Sequence, residues 1–122
     1  MTPLTFERAL RWLADNEPEK FRLDDDQDCF HWKFKDVELF QVLPKTCIGS
    51  DDLDEILSLI GWEYWHTRWA DGFGYFIEET NMPPLTNQTR FRSDKCWRTK
   101  LEASKAAFIA AVTHYAEQKE GE

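Results

Sequence analysis

Chemistry needs particular side chains brought together, and this chain holds three sets of ionisable candidates. Cys29 and His31 are two residues apart, so on a strand they share a face, and His66 and His114 are the other imidazoles. A structural zinc site needs four converging ligands, usually as two closely spaced pairs, and one such pair is present; no metal is expected. His66 with Asp71 is the second set, a carboxylate near enough in sequence to orient an imidazole. Asp71-Gly72 is turn chemistry first, however. The sequence has no Gly-x-Ser-x-Gly elbow, phosphate loop or dinucleotide fingerprint, so neither catalysis nor a cofactor is expected. The third set is carboxylates alone: Asp24, Asp25, Asp26 and Asp28 in one run, and Asp51, Asp52, Asp54 and Glu55 in another. Such density imitates the phosphate spacing of a nucleic acid and suits the basic groove of a protein, although a hairpin tip and a helix N-terminus also attract acids for local reasons.

Aromatic residues form a further constellation. The chain has 6 Trp, 3 Tyr and 9 Phe, and Trp62, Tyr64, Trp65, Trp69, Phe73, Tyr75 and Phe76 crowd residues 62–76. Aromatic rings give large contact area at low entropic cost, so the cluster suits a partner's side chains, a sugar or a base. One face of the two strands is also expected to be core. With period 2, Trp62 and Tyr64 point one way while Trp65 and Trp69 point the other, and large aromatics on both faces require either two covering layers or an exposed binding patch.

The elements that must position these residues follow from periodicity. Phe6, Ala9, Leu10 and Leu13 share one helical arc, predicting a helix over residues 3–14 that opens on Pro3 after Thr2 and stops at Asp15-Asn16-Glu17-Pro18. Phe21 and Leu23, a polar loop through Asp24 to Asp28, then Phe30, Trp32 and Phe34 alternating with His31, Lys33 and Lys35 predict a hairpin. Residues 37–42 continue as a third strand ending at Pro44. Ser50 or Asp51 can cap a second helix bearing Leu53, Ile56, Leu57 and Ile60, with Gly61 closing it. Residues 62–69 and 73–78 read as two strands joined at Ala70-Asp71-Gly72. Residues 80–97, which include Met82-Pro83-Pro84, read as a loop with a short strand at 89–92. Thr99-Lys100-Leu101-Glu102 is a capping box opening a third helix to about Glu117, striped by Leu101, Phe108, Val112 and Tyr115. The expected fold is one α+β domain over residues 1–122: a single antiparallel sheet of about five strands packed by three helices in the order α-β-β-β-α-β-β-α.

Composition narrows the function classes. At 122 residues the chain is the size of one domain that folds without disulfide or metal, and 42% hydrophobic with 31% charged residues excludes wholesale disorder. No apolar run is long enough to span a bilayer and no signal-peptide pattern opens the sequence, which places it in the cytosol; three widely spaced cysteines without Cys-x-x-Cys are expected as reduced, buried thiols. Net charge is −8, concentrated in residues 1–61, where 14 acids face 7 bases. That field disfavours direct contact with nucleic acid. Arg90, Arg92, Lys95, Arg98, Lys100 and Lys105 make the following stretch locally basic.

Pro83-Pro84-Leu85, then Trp97-Arg98-Thr99, Glu102-Ala103, Ala106-Ala107-Phe108 and Ala111 resemble the ends of small uncharacterised phage and prophage proteins, some of them grouped as an α-β-α sandwich domain. The resemblance covers about the last 40 residues and implies a phage accessory protein, a class that includes inhibitors of host defence such as anti-CRISPR proteins. The resulting expectation is a non-enzymatic module that binds a host protein with a basic surface and antagonises a nucleic-acid-handling complex. Its contact residues are the two carboxylate runs with Trp65 and Trp69. The alternatives are a small-ligand or carbohydrate-binding domain using Trp65 and Trp69 as a platform, and a small enzyme using His66 and Asp71.

Overall fold

The computed structural model describes residues 5–34, 37–80 and 90–120; Thr2, Pro3, Lys35, Met82-Pro83-Pro84, Leu85 and Thr89 lie outside them. The first helix, α1, runs Phe6–Asn16. It starts at Phe6 rather than at the expected residue 3 because Thr5 supplies the cap, its hydroxyl accepting the Arg8 N–H at 3.2 Å. Ala9, Leu10 and Leu13 form its buried stripe.

Three strands follow: β1 Phe21–Asp24, β2 Cys29–Lys33 and β3 Phe40–Pro44, paired antiparallel in that order. The β1–β2 turn is the expected polar loop. Asp24 Oδ1 accepts the N–H groups of Asp26 and Gln27, and Asp28 takes φ 56°, a left-handed conformation that aspartate tolerates. Register places Phe21, Phe30 and Trp32 on one face, all fully buried. Arg22, His31 and Val42 share the other, where the Arg22 guanidinium lies 4.3 Å from the Phe40 ring centroid.

A single 3-10 turn, Lys45–Cys47, leads into α2, Ser50–Ser58. Its N-cap is Gly49 rather than Ser50 or Asp51. Glycine has no side chain to cap the first turn, and Asp52 makes only the reciprocal bond, its carboxylate accepting the Gly49 N–H at 2.8 Å. The helix ends at Ser58 with Leu59 as its C-cap, earlier than expected, so Ile60 lies beyond it and Gly61, at φ 81°, reverses the chain after the helix rather than capping it.

The second set of strands is β4 Trp62–Trp69, β5 Gly72–Glu79 and β6 Arg90–Arg92, again antiparallel in sequence order. The expectation of a single sheet of about five strands is therefore incorrect: among the described residues there are two three-stranded sheets, and β3 does not pair with β4. The physical cause is local. Pro44, which has no N–H to give, ends β3, and the 3-10 turn and α2 carry the chain away before β4 begins. The second sheet completes itself with β6, so the order is α-β-β-β-α-β-β-β-α.

The third helix, α3, spans Lys100–Glu120. Its start is as the sequence predicts, with Thr99 Oγ1 accepting the Glu102 N–H at 3.1 Å. Ala103, Ser104, Ala107, Phe108, Ala111, Val112 and Ala116 are buried. Phe108 meets Phe6 edge-on at 5.6 Å, and Tyr115 meets Trp12 at 5.7 Å, which ties α3 to α1. One core joins both sheets and all three helices. Within it the indole N–H groups of Trp32 and Trp62 have no hydrogen-bond partner among the described residues, each at a cost of about 1–3 kcal/mol. No helix among the described residues is long and apolar enough to cross a membrane.

Phe108 is fully buried at the junction of α1 and α3. Phe108→Ala should lower stability by about 3–5 kcal/mol in a urea melt; a loss under about 1 kcal/mol would contradict this packing.

Candidate functional site

The strand ladder decides where the aromatic cluster points. Trp69 pairs with Gly72 across the two-residue turn Ala70-Asp71, which sets Trp65 opposite Phe76 and Glu63 opposite Glu78. One face of this sheet carries Trp62, Tyr64 and Ile77 into the core. The other carries Trp65 and Trp69, 45% and 37% exposed, so the divergence expected from period 2 is what the structure contains.

That open face is organised. The Trp65 ring lies 5.7 Å from the Phe76 ring, tilted by 52°. Trp69 lies back over the sheet, its indole N–H donating to Thr67 Oγ1 at 3.1 Å. Gly74 makes room for it: a Cβ there would stand 2.4 Å from Trp69 Nε1 and 2.6 Å from both Thr67 Oγ1 and Ser93 Oγ. Glu63, two residues from Trp65 on the same face, is exposed and makes no ion pair among the described residues. Glu63 and Gly74 were not singled out from the sequence, yet counting back from the Ala70-Asp71 turn gives each its place.

No protein-family model, curated protein or solved structure matches this chain.

The two carboxylate runs are partly occupied within the chain. Asp24 closes its turn, and Asp25 accepts the Arg11 guanidinium at 2.6 Å, a bond that holds its carboxyl below the usual range. Asp28 takes Lys45 Nζ at 2.6 Å, and Lys45 also reaches Glu7 at 2.6 Å, so one ammonium fastens the turn to α1. Asp26 is exposed and holds no such contact. On α2, Asp52 is committed to Gly49 while Asp51 and Asp54 are exposed and Glu55 is half-buried. Burial, then the neighbouring Asp51, pushes the Asp54 carboxyl upward. These acids lie on the β1–β2 turn and on α2, whereas Trp65 and Trp69 sit on β4.

His66 and Asp71 are not brought together: Asp71 lies in the exposed turn, and no hydrogen bond joins it to His66 among the described residues. His66 Nε2 instead lies 2.8 Å from Ser104 Oγ and 3.2 Å from the Lys100 carbonyl. Ser104 Oγ also donates toward Ser50 Oγ, and the Tyr64 hydroxyl donates to the Ser50 carbonyl at 2.6 Å. A serine 2.8 Å from an imidazole has the form of a nucleophile and its base. Ser104 is fully buried, so this network fastens α2, β4 and α3 together rather than presenting an oxygen to a substrate.

No three His, Cys, Asp or Glu side chains converge as metal ligands among the described residues. The cysteines are free thiols, but they are not the buried small hydrophobes expected: Cys47 is exposed, and Cys29 and Cys96 are half-buried.

His114, on α3, stacks on Phe91 at 3.6 Å between ring centroids and on Trp62 at 6.0 Å. Burial lowers its pKa, partly opposed by Glu117, so the folded state favours neutral imidazole. The unfolded chain then binds the proton more tightly, and stability should fall as pH drops from about 7.5 through the ordinary histidine value near 6.5. Melts at pH 7.5 and 5.5 should show this loss, and His114→Gln should flatten it; an unchanged slope would show that His114 does not carry it.

Proposed function

We propose that this chain is a non-enzymatic protein-binding module whose contact surface is the open face of the second sheet, and that it takes its partner through arginine or lysine side chains. The observation that carries this reading is Trp65: a half-exposed ring, propped by Phe76, with the Glu63 carboxylate on the same face. A guanidinium laid on an indole gains cation–π attraction, and a carboxylate beside the ring completes its recognition. Trp69, held by Thr67 over Gly74, adds a second ring with little freedom left to lose. The net charge of −8 favours the approach of a basic partner to the molecule as a whole.

Arginine and lysine clusters are what nucleic-acid-handling proteins present to phosphates. In the phage setting that the C-terminal stretch suggests, the partner is a host protein with such a surface, and occupancy of that surface would exclude its nucleic acid. The carboxylate runs are the weaker contact candidates, because Asp24, Asp25, Asp28 and Asp52 already hold partners within the chain.

Titration with a nona-arginine peptide by isothermal calorimetry tests the reading. Trp65→Ser should weaken binding about tenfold or more and Glu63→Gln by less, while Asp26→Asn combined with Asp54→Asn should change it little. Absence of saturable binding, or a loss in the aspartate variant with Trp65→Ser unaffected, would overturn it.

A further inference from the structure

On the opposite side of the second sheet from Trp65 and Trp69, a cleft of about 490 Å³ lies between α3 and residues 95–97. Its floor is aromatic, with the Tyr75 and Trp97 rings stacked at 5.6 Å and 23°. Trp97 is brought there by a two-way backbone bridge to Phe73, at 2.7 and 2.8 Å, which extends the sheet beyond β6. The approach is reserved for glycine, since a Cβ on Gly72 would fall 2.1 Å from the Trp97 carbonyl oxygen.

The facing wall is the stripe Ala106, Ile109, Ala110 and Thr113 of α3. It adjoins the fully buried stripe of Ala107, Phe108, Ala111 and Val112. A helix stripe turned to water ordinarily carries charged side chains. Here it is mostly apolar and small, which leaves the space beside the rings open instead of filling it. His114 also lines the cleft, and burial lowers its pKa, which favours the neutral imidazole. Lys95 stands at the rim, exposed, its Nζ 5.5 Å from the Trp97 ring centroid and without a carboxylate partner among the described residues.

We propose that this cleft binds a small, flat aromatic carboxylate, its ring lying on Tyr75 and Trp97 and its carboxylate meeting Lys95. Two stacked rings facing a wall of small residues select a planar apolar body, and the volume is in the range of roughly 300–1,000 Å³ usual for small-molecule sites. The unpaired ammonium selects the charge. The residues are different from those of the proposed partner face, so either assignment stands without the other.

Calorimetric titration of the full chain with 2-naphthoate and its neutral isostere 2-naphthamide is the test. The expected result is one saturable site for 2-naphthoate, with 2-naphthamide at least about tenfold weaker. Lys95→Met should remove that preference, and Ala106→Phe, which fills the cleft, should abolish binding with the melt retained. If Ala106→Phe fails to fold, the Lys95→Met comparison still decides, because that side chain is exposed. No binding of 2-naphthoate, equal binding of the amide, or full binding by Ala106→Phe would overturn the assignment. So would a dimer that Ala106→Phe dissociates, since the cleft would then belong to a second copy.

Discussion

The architecture depends on how closely α3 can approach its neighbours, and that distance is set by side-chain size. Most of its buried positions are Ala103, Ser104, Ala107, Ala111 and Ala116, which let the helix lie near α2 and against one face of the second sheet. Phe108 is the large exception, and it reaches across to Phe6 on α1. Larger residues along this stripe would force strained rotamers or push the helix off. Because α3 covers one face of that sheet and α1 covers the first sheet, Trp65, Phe76 and Trp69 are left without a covering helix.

Close approach also explains the polar knot beside the helix. A small residue at 104 brings its hydroxyl within reach of Ser50, Tyr64 and His66, from α2 and β4. Buried polar groups are tolerated where each finds a partner, and here hydroxyls and an imidazole satisfy one another. The charges are likewise partnered: Arg11 holds Asp25, Lys45 holds Glu7 and Asp28, and the Gly49 N–H holds Asp52, so these carboxylates are engaged within the chain.

How much of this was legible in the sequence varies by level. Alternation along Trp62 to Trp69 gives the strand and sorts its rings between faces, because side-chain direction is a local property. Strand partners are not local: nothing in the alternation of Phe40 or Trp62 states whether β3 and β4 pair, and Pro44 followed by α2 decided that they do not. Thr99 as the start of α3 is written in a capping pattern, whereas the start of α1 at Phe6 hung on which of two threonines would cap it. Trp65 and Trp69 were visible as unusual residue types. The cleft was not, since it needs Trp97 bridged to Phe73, and its wall consists of alanines that look like filler in a sequence.

The division into two separate meanders has a consequence for how the chain reaches this state. Among the described residues every strand pairs only with strands adjacent to it in sequence, so sheet formation needs little long-range loop closure. The remote contacts are made by α3, which packs on α2 and β5 and, through Phe108 on Phe6 and Tyr115 on Trp12, on α1. Hairpins can form within microseconds, but the surfaces they leave bare stay wet until the final helix arrives. The clasp between the first and last helices is thus where assembly becomes cooperative, turning two marginal ribbons into one folding unit.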